Sequence, residues 1–181
     1  MDNFQIDTLM KKKPVVLAIV GSSGSGKTSI SLRLRDIYKI PPICSYTTRP
    51  IREGETDGVE HFFVTEDQMP PREAMCAYTF FGGYHYWTAL SQFDSVKLCT
   101  YVIDEKGLLE MIEKYSDRFD IIKVKVVCGN IQVDQARLQR DDDRICLEDN
   151  FYNFIIHNNS TLDYAAAQVI VKLKDYIIYG R

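Results

Sequence analysis

The chain has 181 residues, 45% hydrophobic and 26% charged, with a formal net charge of 22 − 25 = −3. A domain of that length closes a core on its own, and the near-neutral balance excludes a chain-wide basic field for nucleic acid while leaving room for a local basic site for a small anion. The longest uninterrupted apolar run, Val15–Val20, is far too short to span a bilayer, and the five cysteines, at 44, 76, 99, 128 and 146, include no pair close enough for zinc-ribbon spacing, so they read as reduced thiols of a cytoplasmic protein.

In chain order, residues 1–13 read as a polar tail. Val15–Val20 is a mainly β-branched run between Pro14 and Gly21, the pattern of a strand buried on both faces in a parallel sheet. Ile30, Leu32, Leu34 and Ile37 among Arg33, Arg35 and Asp36 predict a helix over Lys27–Tyr38, ended by Pro41-Pro42. Residues 44–96 cluster glycine, proline and aromatics and read as a small β-rich insertion, with alternating strands at Val59–Thr65 and Tyr84–Ala89. Strands at Lys97–Asp104, Asp120–Cys128 and Phe154–His157 then alternate with helices at Glu105–Tyr115, Ile131–Arg140 and Thr161–Tyr179. Asp141–Asn150 is dense in charge. Strands alternating with helices imply an α/β, three-layer fold whose parallel sheet core is formed by 14–43 and 97–181 in a single domain.

Gly21-Ser22-Ser23-Gly24-Ser25-Gly26-Lys27-Thr28 satisfies G-x-x-x-x-G-K-[ST] in full, between a buried strand and a helix. The three glycines let backbone N–H groups turn inward, and the following helix adds its positive end. Lys27 is positioned to reach terminal phosphates, and the Thr28 hydroxyl to ligate magnesium. Asp104 closes the strand Lys97–Asp104, where a carboxylate reaches a metal or a substrate; it also stands where a helix N-cap is expected, and the two roles are compatible. A second anion site is legible in Ser45-Tyr46-Thr47-Thr48-Arg49-Pro50-Ile51-Arg52-Glu53-Gly54-Glu55-Thr56-Asp57-Gly58: two arginines three apart, preceded by hydroxyls and held extended by prolines.

Together these stretches resemble guanylate kinases, P-loop nucleoside monophosphate kinases with the pattern S-x-T-T-R-x-x-R-x-G-E-x-x-G after the first helix. Ser45, Thr47, Thr48, Arg49, Arg52, Gly54, Glu55 and Gly58 all fall in place. Phe81–Thr88, Ile103–Gly107 and Ile155–Asn158 resemble later family motifs. The resemblance implies a P-loop fold with an inserted acceptor-binding subdomain and transfer of the ATP γ-phosphoryl to a nucleoside monophosphate, GMP foremost, with Mg2+. It implies ATP binding by Ser23, Gly24, Ser25, Gly26, Lys27, Thr28 and Ser29, with Asn158 near the adenine. Ser45, Arg49, Arg52, His61 and Tyr86 would hold the acceptor's phosphate, Thr88 and Asp104 would face its base, and Thr28 and Asp104 would serve the metal. The resemblance also makes 137–150 a short lid, and Lys27, Arg49 and the lid arginines Arg137 and Arg140 would supply positive charge to the transferring group. Small-molecule nucleotides are the implied partners, with no nucleic acid and no membrane; the sequence leaves the oligomeric state open.

The chain departs from the family in a lid between Arg140 and Phe154 that is much shorter than usual, in a shortened helix after Thr88, and at three site residues. His61 stands where a phosphate-binding tyrosine is usual, Ala77 where a glutamate reads guanine, and Val102 where the first acid of a D-x-D stands. These departures motivate an alternative, a kinase for another nucleotide or for a ribose bisphosphate. A further alternative is a non-catalytic interaction module of this family, against which the retained Lys27 and Thr28 weigh. On this reading, Lys27→Ala or Arg49→Ala abolishes transfer while the fold survives.

Overall fold

The computed structural model describes residues 13–129 and 145–179. Nine strands and three helices follow in chain order among these residues: β1 (Val15–Val20), α1 (Lys27–Tyr38), β2 (Pro42–Ile43), β3 (Ser45–Thr47), β4 (His61–Phe63), β5 (Cys76–Phe81), β6 (Tyr84–Thr88), β7 (Leu98–Val102), α2 (Glu105–Tyr115), β8 (Asp120–Val127), β9 (Phe154–His157) and α3 (Leu162–Tyr179). Five strands form a parallel sheet in the order β2-β7-β1-β8-β9. Every residue of β1 is buried, as an apolar run in the middle of a parallel sheet requires.

The alternation of side chains along β1 divides the core in two. Leu17 and Ile19 pack with Ile30 and Leu34 of α1 and with Ala165, Val169 and Leu173 of α3. Val16, Ala18 and Val20 face the other way, onto Leu108 and Met111 of α2 and onto Phe93, Tyr101 and Phe119. The result is three layers, α1 and α3 on one face and α2 on the other. The parallel order places the carboxyl ends of β1 and β7 side by side, which is where open α/β sheets build their sites.

A second sheet of four strands, β4-β3-β6-β5, stands beside this core. It joins parallel β3 and β4 to the antiparallel β5–β6 hairpin. The sequence reading differs here. The expected strand Val59–Thr65 is only His61–Phe63, because Thr65 already caps a short 3₁₀ turn over Glu66–Gln68. The reading did not single out β2, β3 and β5: the first two are two and three residues long, and β5 carries a bulge between Cys76 and Thr79 that breaks its alternation. The helix expected at 131–140, with Arg137, Arg140 and most of the lid, lies outside the described residues.

Candidate active site

The loop at 21–26 joins β1 to α1. Gly26 takes φ +93° just before the first helical turn, and a methyl there would run into the Asn158 side chain; one on Gly21 would run into the Val126 carbonyl. The loop therefore lies directly against the ends of β8 and β9, and only glycine permits that approach. Asn158 donates from Nδ2 to the Ser25 carbonyl at 2.9 Å, bracing the loop from beneath. Lys27 Nζ folds over the loop and donates to the Gly21 and Ser22 carbonyls, 2.7 Å each.

The arginine clamp is built around one ion pair. The Arg49 backbone N–H donates to Thr47 Oγ1 at 3.1 Å, fixing the turn out of β3. Its guanidinium, 4% exposed, donates Nη1–H to the Pro50 carbonyl at 2.8 Å. Nη1 and Nη2 together grip the Glu55 carboxylate at 2.9 Å each. Five N–H donors less three leaves Nε–H and the second Nη2–H, which point the same way as a two-pronged fork for a phosphate. Glu55 also accepts the Arg52 backbone N–H at 2.9 Å, so one carboxylate organises both arginines. Burial pushes the Glu55 carboxyl up, but the hydrogen bonds from Arg49 and the Arg52 amide outweigh it and hold the group below its ordinary range.

His61 lies opposite Ser45 in the β3–β4 register, its Nδ1 2.8 Å from Ser45 Oγ. Burial, and next the repulsion of Arg49 with a smaller part from Arg52, push its pKa down to about 4, against a smaller opposite pull from Glu55. The imidazole is therefore neutral at pH 7, a hydrogen-bonding group rather than a cation. A stability effect follows. Between the unfolded value, 6.5, and about 4, the unfolded chain binds a proton that the native chain does not. Stability from this group is complete above pH 6.5 and falls by about 3 kcal/mol as pH drops toward 4. Urea denaturation of His61→Gln should show a correspondingly shallower loss between pH 7 and pH 4.5; an unchanged pH slope would show that the burial of His61 is not its cause.

Both cradles open into one cleft of about 450 Å³. Ser23, Gly24, Gly26, Lys27, Thr28 and Ser29 line its loop side, and Ser45, Arg49, Arg52, His61 and Tyr86 its clamp side, with Asp104 at the end of β7. Three expected site residues stand elsewhere. Ser25 is fully buried within the loop, and Asn158 is beneath it rather than on the cleft wall. Thr88 is also fully buried and turns its hydroxyl onto the Cys76 carbonyl at 3.2 Å, near the Tyr101 hydroxyl. The sequence reading missed Glu55 as the partner of Arg49 and Thr79, Phe81 and Tyr101 as cleft lining. Glu55 was in view, six residues after Arg49, but spacing in a loop does not say which carboxylate folds back.

Asp104 Oδ1 accepts the Gly107 N–H at 2.8 Å, capping α2, so the N-cap role is real and the other oxygen remains for a ligand. Thr28 and Asp104 on one cleft form a sparse, hard-oxygen donor set; that suits magnesium, which keeps waters and takes most remaining ligands from phosphates. Among the described residues no cluster of three or more His, Cys, Asp or Glu could hold a metal by itself.

The family model "Guanylate kinase" matches residues 11–98, from the tail through β6. A guanylate kinase of Syntrophotalea carbinolica is 40% identical over 86 residues, a stretch covering 45% of this chain and 41% of that protein. A guanylate kinase of Chlorobium chlorochromatii is 29% identical over 160 residues, covering 77% of this chain and 84% of that protein. The crystal structure of guanylate kinase from Anaplasma phagocytophilum superposes with a TM-score of 0.61 at 16% identity, over 90% of this chain and 87% of that one, a likeness of fold. Sequence kinship is strongest in the half that carries both phosphate cradles, and the likeness of backbone runs on through the rest: the chain is similar to guanylate kinases along most of its length.

Proposed function

We propose that this chain transfers the γ-phosphoryl group of ATP to the phosphate of a nucleoside monophosphate, GMP among them, yielding ADP and the nucleoside diphosphate. The observation that carries the reading is the single cleft on which Lys27 and Thr28 face Ser45, Arg49 and Arg52. ATP would lie with its phosphates on the 21–29 loop, and the acceptor's phosphate on the Arg49 fork. The attacking oxygen is already ionised at neutral pH, so the site needs no general base, and none of its groups is placed as one. The neutral His61 hydrogen-bonds, and the arginines and Lys27 neutralise and align. Magnesium, held by Thr28 with Asp104 close by, would draw charge from the phosphate oxygens. Arg137 and Arg140 are proposed to add positive charge from the lid. Water must be kept out while the phosphoryl moves, which the two sides of the cleft achieve by closing on the substrates.

A coupled assay of ADP formation with ATP, Mg2+ and GMP tests the reading. Acceptor-dependent turnover at least about 10²-fold above ATP hydrolysis alone is expected, from the charge-stabilising donors. Acceptor-independent hydrolysis only would overturn it. The alternative of a ribose bisphosphate acceptor draws on the carbon surfaces of Ala77 and Val102, and the same assay with that sugar decides it. The five cysteines are all free thiols, in keeping with the proposed cytoplasmic location. No helix among the described residues is long and apolar enough to cross a membrane.

A further inference from the structure

With both phosphate cradles placed, the rest of the cleft lining includes Ala77, Thr79 and Phe81 of β5 and the stretch Tyr101–Ile103 at the end of β7. These two segments meet: a methyl on Gly107 would touch the Ile103 side chain and the Ala77 carbonyl at 2.9 and 3.2 Å. An acceptor held by its phosphate on the clamp must lay its base along this wall. The wall is poor in hydrogen-bond acceptors. Ala77 and Val102 present carbon, and Thr88 is turned away onto the Cys76 carbonyl.

Four carboxylates stand on the lining: Glu105 is buried with a partner of its own, and the others are engaged or distant. Glu55 holds Arg49, and Glu60 accepts the Thr56 amide at 2.8 Å. Glu60 also adjoins β4, whereas Ala77 lies on β5, the opposite edge of the four-stranded sheet, about 14 Å away at the usual strand spacing. Asp104 has one oxygen on the Gly107 amide, which leaves one for a base. Guanine presents N1–H and the N2 amino group side by side, and one oxygen satisfies only part of that edge. Ala77 itself sits at φ +54° inside the β5 bulge, so the wall's shape rests on a backbone conformation that alanine rarely takes.

We propose that this chain selects its acceptor base by fit against an apolar wall, with Ala77 and Val102 as specificity-determining residues, and so phosphorylates several nucleoside monophosphates with only a modest preference for guanine. The proposal rests on the kinase reading above. Fit to a carbon surface discriminates by roughly 10–200-fold, whereas a site built to hydrogen-bond a base rejects analogues by roughly 10⁴–10⁵.

The test is kcat/KM of the full-length protein with ATP, Mg2+ and, in turn, GMP, IMP, AMP, CMP and UMP. The ratio of GMP to each of IMP and AMP is expected below about 200. A larger ratio would overturn the proposal while leaving the kinase reading intact. Transfer to none of the five would overturn both. Val102→Asp, at a partly exposed strand end, should raise the GMP-to-AMP ratio at least about tenfold by adding an acceptor. Ala77→Glu should do the same where it folds. An unchanged ratio in folded Val102→Asp would show that the base lies elsewhere.

Discussion

Lys27→Ala is expected to lower turnover by about 10³-fold and leave the chain folded, because a preorganised charge facing the transferred group is the larger kind of catalytic contribution. The side chain donates to the Gly21 and Ser22 carbonyls at a part-exposed site where water can take its place. Alanine is the best helix former, so the first position of α1 is not weakened. Steady-state rates with ATP and GMP, beside a thermal melt, check this. A loss below tenfold in a folded variant would remove Lys27 from the phosphates.

Arg49→Ala has a second consequence that the sequence reading did not foresee. It removes the fork proposed for the acceptor's phosphate, but it also strands Glu55, whose carboxylate is 18% exposed and pairs with this guanidinium and the Arg52 amide. Breaking such a pair from one side costs about 3–5 kcal/mol, a large share of a domain's stability. The single variant should therefore be both inactive and markedly destabilised. Arg49→Ala with Glu55→Gln should recover much of the stability and none of the transfer. Urea denaturation and the coupled assay on both variants separate the effects. If the double variant regains turnover, Arg49 is a structural arginine and the acceptor's phosphate binds elsewhere.

The frame of the fold was legible because its signals are local. Val15–Val20 and Lys27–Tyr38 match the structure at both ends, since a buried run and a helical stripe each carry their period in their own residues. The loop was legible for the same reason: its glycines, Lys27 and Thr28 are contiguous. What stayed hidden depends on contacts between distant segments. Asn158 reads by family analogy as an adenine neighbour and is found bracing Ser25, 133 positions earlier. Thr88 sits at a strand end where alternation cannot decide which face it takes, and the β5 bulge opposite it alters the register. The partnership of Glu55 with Arg49 required the path of the 49–55 loop, and no periodic signal describes a loop.

The chain leaves the parallel sheet at Ile43 and enters the second sheet at Ser45, so Cys44 alone joins them on that side. Gln92 Nε2 donates to its carbonyl at 2.7 Å, tying this crossing to the segment by which the chain returns. The two crossings are not the whole joint: β5 also seats Cys76 and Ala77 against Leu108 and Met111 of α2, and Arg72 pairs with Glu110 of that helix. The two sheets are therefore clamped at separate places, and any change in the spacing of the two cradles has to disturb buried side chains as well as the crossings.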